Sequence, residues 1–412
     1  MALLANNALT KQSKGNALAI GKEARIAKAA NPEIIDSTIG MLFDEEGKFL
    51  AFKTVEKVTN ELTARQKYSY GSTIGDESYH EALYEWIFKK ELSKIKKNMF
   101  LRTVATPGGS GAICNTFSNY LDAGQKVLLP SLMWTNYIQI AKEEHLGYET
   151  YQLFDEEGHF NLNAFKNKCQ KLASEQKRVV AVINDPCQNP TGYSMTYEEW
   201  QGVVGIINDF AALNVPFILL YDLAYFDYDK RGSNAALKNI CLFQELKEHA
   251  MVILAFSGSK TLGLYGLRIG AQIAMCKTKE SADEFLAAND YSARGKWSAA
   301  TTLGQNVVTL SLTKYKEEFK EELESARALL IARANAFLKE SKKVGLKHYP
   351  YECGFFVKIP CEQPSVIYET LKKKGLYVLP LERGIRLTLS SITLPEVIRA
   401  VHLISETIKE FE

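Results

Sequence analysis

Arg178-Val-Val-Ala-Val-Ile-Asn184 runs directly into Asp185-Pro-Cys-Gln-Asn-Pro-Thr-Gly192. The first part reads as a strand apolar on both faces, the second as a turn built from proline, asparagine and glycine. A helix is expected from Thr196, because Thr196-Tyr-Glu-Glu199 has capping-box spacing and Trp200, Val203, Val204 and Ile207 recur at helical intervals. The same alternation continues downstream. Pro216-Phe-Ile-Leu-Leu-Tyr221 reads as a strand, residues 237–249 as a helix and Met251-Val-Ile-Leu-Ala-Phe256 as another strand. Strands that are apolar throughout and separated by helices predict an α/β fold with a parallel sheet covered on both faces.

The pattern changes after about residue 300. A long polar helix is expected over Lys314–Lys342, then an antiparallel section with strands Phe355–Ile359 and Arg386–Leu389. A last helix should open at Thr393, with Pro395 in its first turn and Glu396 completing a capping box. These features suggest a second, smaller α+β domain. We place an N-terminal arm and part of the small domain at 1–50, the large domain at 51–310 and the rest of the small domain at 311–412.

At 412 residues the chain is too long for one simple core. Its 50 basic and 48 acidic residues leave a net charge of +2, which supplies no general field for nucleic acid or an anionic membrane. The seven cysteines contain no Cys-x-x-Cys pair. That argues against a disulfide framework or zinc knuckle, and for a reducing, cytoplasmic setting without a bound metal. Met1–Ile20 is broken by Asn6, Asn7, Lys11, Gln12 and Lys14, so no signal peptide is read there, and runs such as Val215–Tyr221 are too short to span a bilayer.

In open parallel sheets ligands bind beyond the carboxyl ends of the strands. Four such ends carry chemistry here: Pro107-Gly-Gly-Ser-Gly-Ala112, Asn189, Asp222 with Tyr225, and Ser257-Gly-Ser-Lys260. The glycines of the first let backbone amides approach an anion at a helix N-terminus, expected over Ala112–Leu121, with Ser110 as a hydroxyl donor. It lacks the Gly-Lys-Ser/Thr ending of a nucleotide P-loop.

Ser257-Gly-Ser-Lys-Thr-Leu-Gly-Leu-Tyr-Gly-Leu-Arg-Ile-Gly270 concentrates two hydroxyls, a lysine and an arginine eight residues later, Arg268. This segment resembles the lysine-bearing motif of the class I aminotransferases, in the aspartate and aromatic branch. Asn189-Pro-Thr-Gly192, Asp222-Leu-Ala-Tyr225, Pro107–Ala112, Ile39-Gly40 with Asp44-Glu-Glu-Gly-Lys48, Tyr70 with Gly75, Gly354-Phe-Phe and Arg386-Leu-Thr-Leu are similar to other motifs of that family, in the same order. The resemblance implies the type I fold, with a mostly parallel seven-stranded sheet in the large domain, and pyridoxal 5'-phosphate as cofactor.

It also implies roles. Lys260 would carry the cofactor as a Schiff base and act as general base, since a lysine amine loses its proton readily when buried or beside another cation. Asp222 would pair with the ring nitrogen, and Tyr225 and Asn189 would bond the phenolic oxygen. The phosphate would take Arg268, Ser257, Ser259, Ser110, the Gly109 backbone and Tyr70 of a second subunit. Trp134 would stack on the ring, although Pro130-Ser-Leu-Met-Trp134 has two more residues between Pro-Ser and Trp than the family pattern. Arg386 would bind the substrate α-carboxylate close to the Gly40 backbone. Arg294 stands 26 residues after Arg268, the family's interval for a side-chain-carboxylate arginine acting across the dimer.

The expected function is therefore a homodimeric transaminase with shared active sites. It would move an amino group between aspartate, glutamate or an aromatic amino acid and a 2-oxo acid by a ping-pong mechanism. A β-lyase or decarboxylase on the same fold is the alternative. A cofactor-binding regulatory module is a third reading, disfavoured because the first 35 residues are too short for a helix-turn-helix domain.

Overall fold

A computed structural model describes residues 3–5, 8, 9, 11 and 17–411. The chain divides into two compact units. The smaller comprises Met1–Lys48, Ala332–Tyr349 and Phe356–Glu412; the larger comprises Phe49–Ile331 and Pro350–Phe355. The division passes through the helix Lys316–Val344 rather than falling near residue 310. A continuous helix leaves no break in composition to mark such a boundary.

The larger unit is organised by seven strands: β1 (Phe100–Thr106), β2 (Lys126–Pro130), β3 (Gly147–Tyr151), β4 (Val179–Asn184), β5 (Phe217–Asp222), β6 (Ala250–Ser257) and β7 (Gly270–Cys276). They lie in the order β1-β7-β6-β5-β4-β2-β3. β4, β5 and β7 are buried along their whole length, as their unbroken apolar sequences require. Successive side chains alternate between faces. Val180, Val182 and Leu220 join a core with Ile113 and Phe117 of helix Gly108–Tyr120, Tyr137 of Asn136–Glu143 and Phe285 of Lys279–Lys296. Helices Leu162–Gln176 and Tyr197–Ala212 also pack on the sheet.

β7 departs from the parallel expectation. It pairs antiparallel with both β6 and β1, which therefore run in the same direction as each other. A strand buried on both faces has the same apolar composition in either direction, so its reversal is invisible in the sequence. The reversal matters for the site. β7 enters the sheet at the edge where β1 and β6 leave it, with Gly270 opposite both Thr106 and Ser257. A Cβ at Gly270 would lie 2.5 Å from the Gly108 carbonyl carbon and 2.5 Å from the Phe256 oxygen, so only glycine allows this approach.

Both expected capping boxes form. The Thr196 hydroxyl accepts from the Glu199 amide while Glu199 accepts from the Thr196 amide at 2.7 Å, and Thr393 and Glu396 repeat the exchange. The helix expected over 237–249 is shorter, covering Ser233–Cys241 and followed by a 3-10 turn, Leu242–Glu245.

In the smaller unit, Gly384–Thr388 is the central strand of an antiparallel sheet, flanked by Leu379–Leu381 and Phe356–Pro360. Ile35–Asp36 pairs in parallel with Leu376–Tyr377. The turn at Asp44 is closed by its carboxylate, which accepts from the amides of Glu46 and Lys48 at 2.9 Å each. Arg333, wholly buried, donates to Glu45 and to the carbonyls of Phe43, Asp44, Leu389 and Ser390. These bonds tie the N-terminal turn to the end of the central strand and compensate the buried charge.

Candidate active site

Sequence-distant groups meet at one edge of the larger unit's sheet, because β1, β4, β5 and β6 all end there and β7 begins there. Asp222 closes β5 and is 6% exposed. Its carboxylate accepts from the Tyr137 hydroxyl and, at 3.0 Å, from the Ala224 amide. Burial pushes its pKa above the ordinary carboxylate value, while the Tyr137 and Ala224 bonds and the positive charge of Lys260 pull it back. Asp222 and Lys260 are thus within electrostatic reach, on the ends of neighbouring strands.

Lys260 sits in the single turn Gly258–Thr261 after β6. Its Nζ lies 5.4 Å from the ring centre of Tyr225, 5.0 Å from that of Tyr265 and 5.4 Å from that of Phe355. Three aromatic rings thus lie close to the half-buried Lys260 amine, a setting favourable to its charge. Tyr225 and Tyr228 pack on Phe355, with ring centres 5.2 and 5.0 Å apart. The Tyr228 hydroxyl also donates to the Lys260 carbonyl at 3.0 Å, fixing the turn that carries the amine.

Asn189 follows β4, in a loop held by Asn184. The Asn184 side chain accepts from the Asn189 amide at 2.8 Å and donates to the Asp222 carbonyl at 3.0 Å, linking two strand ends. Beneath the loop lies Asp185, fully buried. It accepts from the Met195 amide (2.6 Å), Trp200 Nε1 (3.0 Å) and the Tyr221 hydroxyl (3.3 Å). Burial raises its pKa to about 7 against the Met195 and Trp200 bonds. A carboxyl raised in the folded state contributes its full stability below its unfolded pKa, near 3.9, and loses it as pH rises through about 7. Asp185→Asn removes this titration but presents an amide donor to Trp200. The variant should be less stable than the parent by about 1–3 kcal/mol at pH 4. The difference should shrink or reverse by pH 8, when the parent must bury a charge. Thermal melts at both pH values test this, and a difference that grows with pH would contradict it.

The glycine loop after β1 begins the helix Gly108–Tyr120, four residues earlier than read from sequence. Gly108 has φ +69°, and a Cβ there would lie 2.6 Å from an Arg268 terminal nitrogen. Arg268, itself at φ +53°, donates to the Ser259 hydroxyl and the Tyr265 carbonyl at 3.0 Å each. Gly109 would place its Cβ 3.5 Å from that of Ser257. Arginine, two hydroxyls and a helix N-terminus thus converge on one spot, a donor set suited to a phosphate group. Ser110 lies in the first turn of the same helix. Trp134 is half-buried, edge-on to Tyr137 with ring centres 5.4 Å apart.

Tyr70 and Arg294 belong to the larger unit but stand apart from this cluster in exposure. Tyr70 is 96% exposed, and Arg294 is exposed with one nitrogen donating to the Ser298 hydroxyl at 2.6 Å. Arg386 and Gly40 lie in the smaller unit. There the Arg386 guanidinium is buried 4.1 Å from the Phe356 ring centre and donates to the Thr38 carbonyl at 2.8 Å.

The family model for aminotransferases of class I and II matches residues 33–404. The chain belongs to that family. Its relatives include an aromatic-amino-acid aminotransferase of Paracoccus denitrificans, 23% identical over 89% of this chain and 92% of that one. An aspartate aminotransferase of Escherichia coli K12 is 25% identical over 76% and 78%. The crystal structure of an aminotransferase from Anaerococcus prevotii superposes with a TM-score of 0.93, at 28% identity over 99% of this chain and 100% of that one.

As a class I and II aminotransferase the protein is a pyridoxal-phosphate-dependent transaminase. The residues present fit that coenzyme: the Gly108 cradle against Arg268 suits its phosphate, and a buried carboxylate under the influence of Lys260 suits its protonated ring nitrogen. Two aromatics about this aminotransferase's lysine and aspartate escape the sequence reading, Tyr137 and Tyr265, which look like core or loop residues in one dimension, while Phe355 reads there only as part of Gly354-Phe-Phe and a small-domain strand. Tyr265 lies inside the lysine motif and Tyr137 three residues after Trp134, the only signals either offered.

Proposed function

We propose that this transaminase exchanges the amino group of a dicarboxylic or aromatic amino acid with a 2-oxo acid, 2-oxoglutarate being the favoured acceptor. The observation that carries the site assignment is geometric: the buried Asp222 ends β5, and Lys260 stands in the turn just after β6, the strand paired with it. When bound, pyridoxal phosphate supplies an electron sink for the pair left behind at the substrate Cα. Lys260 is the point of covalent attachment, and its neutral amine takes the Cα proton. Asp222, whose ionised form the Tyr137 hydroxyl favours against burial, would hold a proton on the ring nitrogen by charge pairing. Tyr225 and Asn189 would hold the phenolic oxygen, and Trp134 would cover the ring. Arg268, Ser257, Ser259, Ser110 and the Gly109 amide bind the phosphate.

In the smaller unit, we assign the bidentate recognition of the α-carboxylate to Arg386, with the Gly40 backbone beside the substrate. Arg294 is assigned to the side-chain carboxylate and Tyr70 to the phosphate, both of a second subunit. The exposure of Tyr68, Tyr70 and Tyr291 supports such a dimer. Their segments adjoin, since Thr73 donates to Asp290 and Thr302 donates to the Ser69 carbonyl at 2.7 Å. Light scattering should give twice the chain mass; a monomer at assay concentration would remove the shared-site assignment. The cytoplasm is the proposed compartment, supported by seven cysteines that are all unpaired.

The deciding experiment adds aspartate, glutamate, phenylalanine, tyrosine, alanine and a branched-chain amino acid singly to the holoenzyme. Productive donors should shift the coenzyme absorption from its visible band toward the near ultraviolet, and 2-oxoglutarate should restore it. Dicarboxylic or aromatic donors should lead. A spectrum unchanged by all six would reject the proposed substrate class, and a keto acid or amine formed without spectral reversal would point to lyase or decarboxylase chemistry.

A further inference from the structure

On the larger unit, a cavity of about 580 Å³ is lined by five cations, Lys89, Lys90, Lys316, Lys320 and Arg327, against two carboxylates, Glu85 and Glu324. None of these residues belongs to the coenzyme cluster. Glu324 is already spent: both its oxygens accept from Arg327 Nη1 at 2.7 Å. Arg327 lines the cavity, is only 7% exposed, and its Nε donates to the Asp227 carbonyl at 2.8 Å. Lys316 and Lys90 make no ion pair among the described residues, and Lys320 pairs only with the exposed Glu317. Burial holds the half-buried Lys89 amine below its ordinary pKa, Arg327 and Lys320 adding to this against the opposing charges of Asp227 and Glu324, and its Nζ donates to Asn234 Oδ1 at 3.3 Å. Lys89 also has φ +48° and ψ −131° at the end of helix Glu77–Phe88, a conformation costly for a residue with a side chain. Five cations against two carboxylates, one of which Arg327 already occupies, give the cavity wall an excess of positive charge that a bound anion would offset.

We propose that this cavity binds a multiply charged small anion, of the polyphosphate or polycarboxylate class. Its size suits a metabolite rather than a single ion. The lysines supply mobile point charges and Arg327 a planar donor. The cavity is also wired to the coenzyme lysine. Arg327 bonds the Asp227 carbonyl, and the buried Asp227 carboxylate accepts from the Thr261 hydroxyl at 2.8 Å and from Trp86 Nε1 at 3.3 Å. Thr261 is the residue after Lys260, and Trp86 lines the cavity.

The test uses coenzyme-saturated protein, so that the phosphate cup is filled, and titrates it calorimetrically with pyrophosphate, with citrate and with sodium chloride at matched ionic strength. Three forms are compared: the parent, Lys316→Gln/Lys320→Gln, and Lys166→Gln/Lys171→Gln, which loses the same charge on a different surface. Saturable binding of pyrophosphate or citrate, weakened about tenfold or more in the first double variant and unchanged in the second, is the expected result. Pyrophosphate alone would assign a phosphorylated ligand, and citrate alone a polycarboxylate. Three outcomes overturn the proposal: no saturable binding by the parent, equal weakening in both double variants, or a change below about threefold in Lys316→Gln/Lys320→Gln.

Discussion

Lys260→Ala should lower kcat by at least about 10⁴-fold, because the proposed assignment gives one side chain both the covalent attachment and the base that moves the substrate proton. The fold should survive the change. Lys260 occupies a four-residue turn whose backbone is held by the Tyr228 hydroxyl at 3.0 Å, a bond to the carbonyl that alanine keeps. The surrounding Tyr225, Tyr265 and Phe355 rings lose a cation rather than a packing partner. Borohydride reduction followed by mass measurement should fix the coenzyme to the parent chain at this lysine and leave the variant unlabelled. Retention of more than about 1% of kcat by correctly folded Lys260→Ala would place the base elsewhere.

Asp222→Asn should cost the next most, about 10²–10³-fold in kcat, since removing one partner of a buried charge pair leaves the other uncompensated at about 3–5 kcal/mol. The residue's setting makes the result informative. Burial alone pushes Asp222 toward its neutral form, and the bond from Tyr137 works against that. Tyr137→Phe removes only the hydroxyl, so it should retain more activity than Asp222→Asn and less than the parent, with the loss deepening as pH falls and Asp222 takes up a proton. Rate–pH profiles of the three proteins check the order. If Tyr137→Phe and the parent share one profile, the tyrosine has no part in holding the carboxylate ionised.

The strand carrying Val179–Asn184, the capping boxes at Thr196 and Thr393 and the lysine motif at 257–270 could all be read in one dimension. Each is written in short-range spacing: unbroken β-branched runs, a hydroxyl three residues before a glutamate, a lysine and arginine eight apart. The composition, with 50 basic and 48 acidic residues, likewise set expectations about partners without any coordinates.

What the sequence by itself determined was the class of fold and a set of candidate reactive residues, because backbone propensity and motif spacing act over a few neighbours. Tertiary structure alone decided that β7 runs against its neighbours and so delivers Arg268 to the Gly108 loop. It alone set Tyr137 on Asp222 and Phe355 beside Lys260, across 85 and 95 residues of chain. Sheet order and register fix such pairings, and a strand buried on both faces carries no sequence mark of its direction or of the neighbour it will choose.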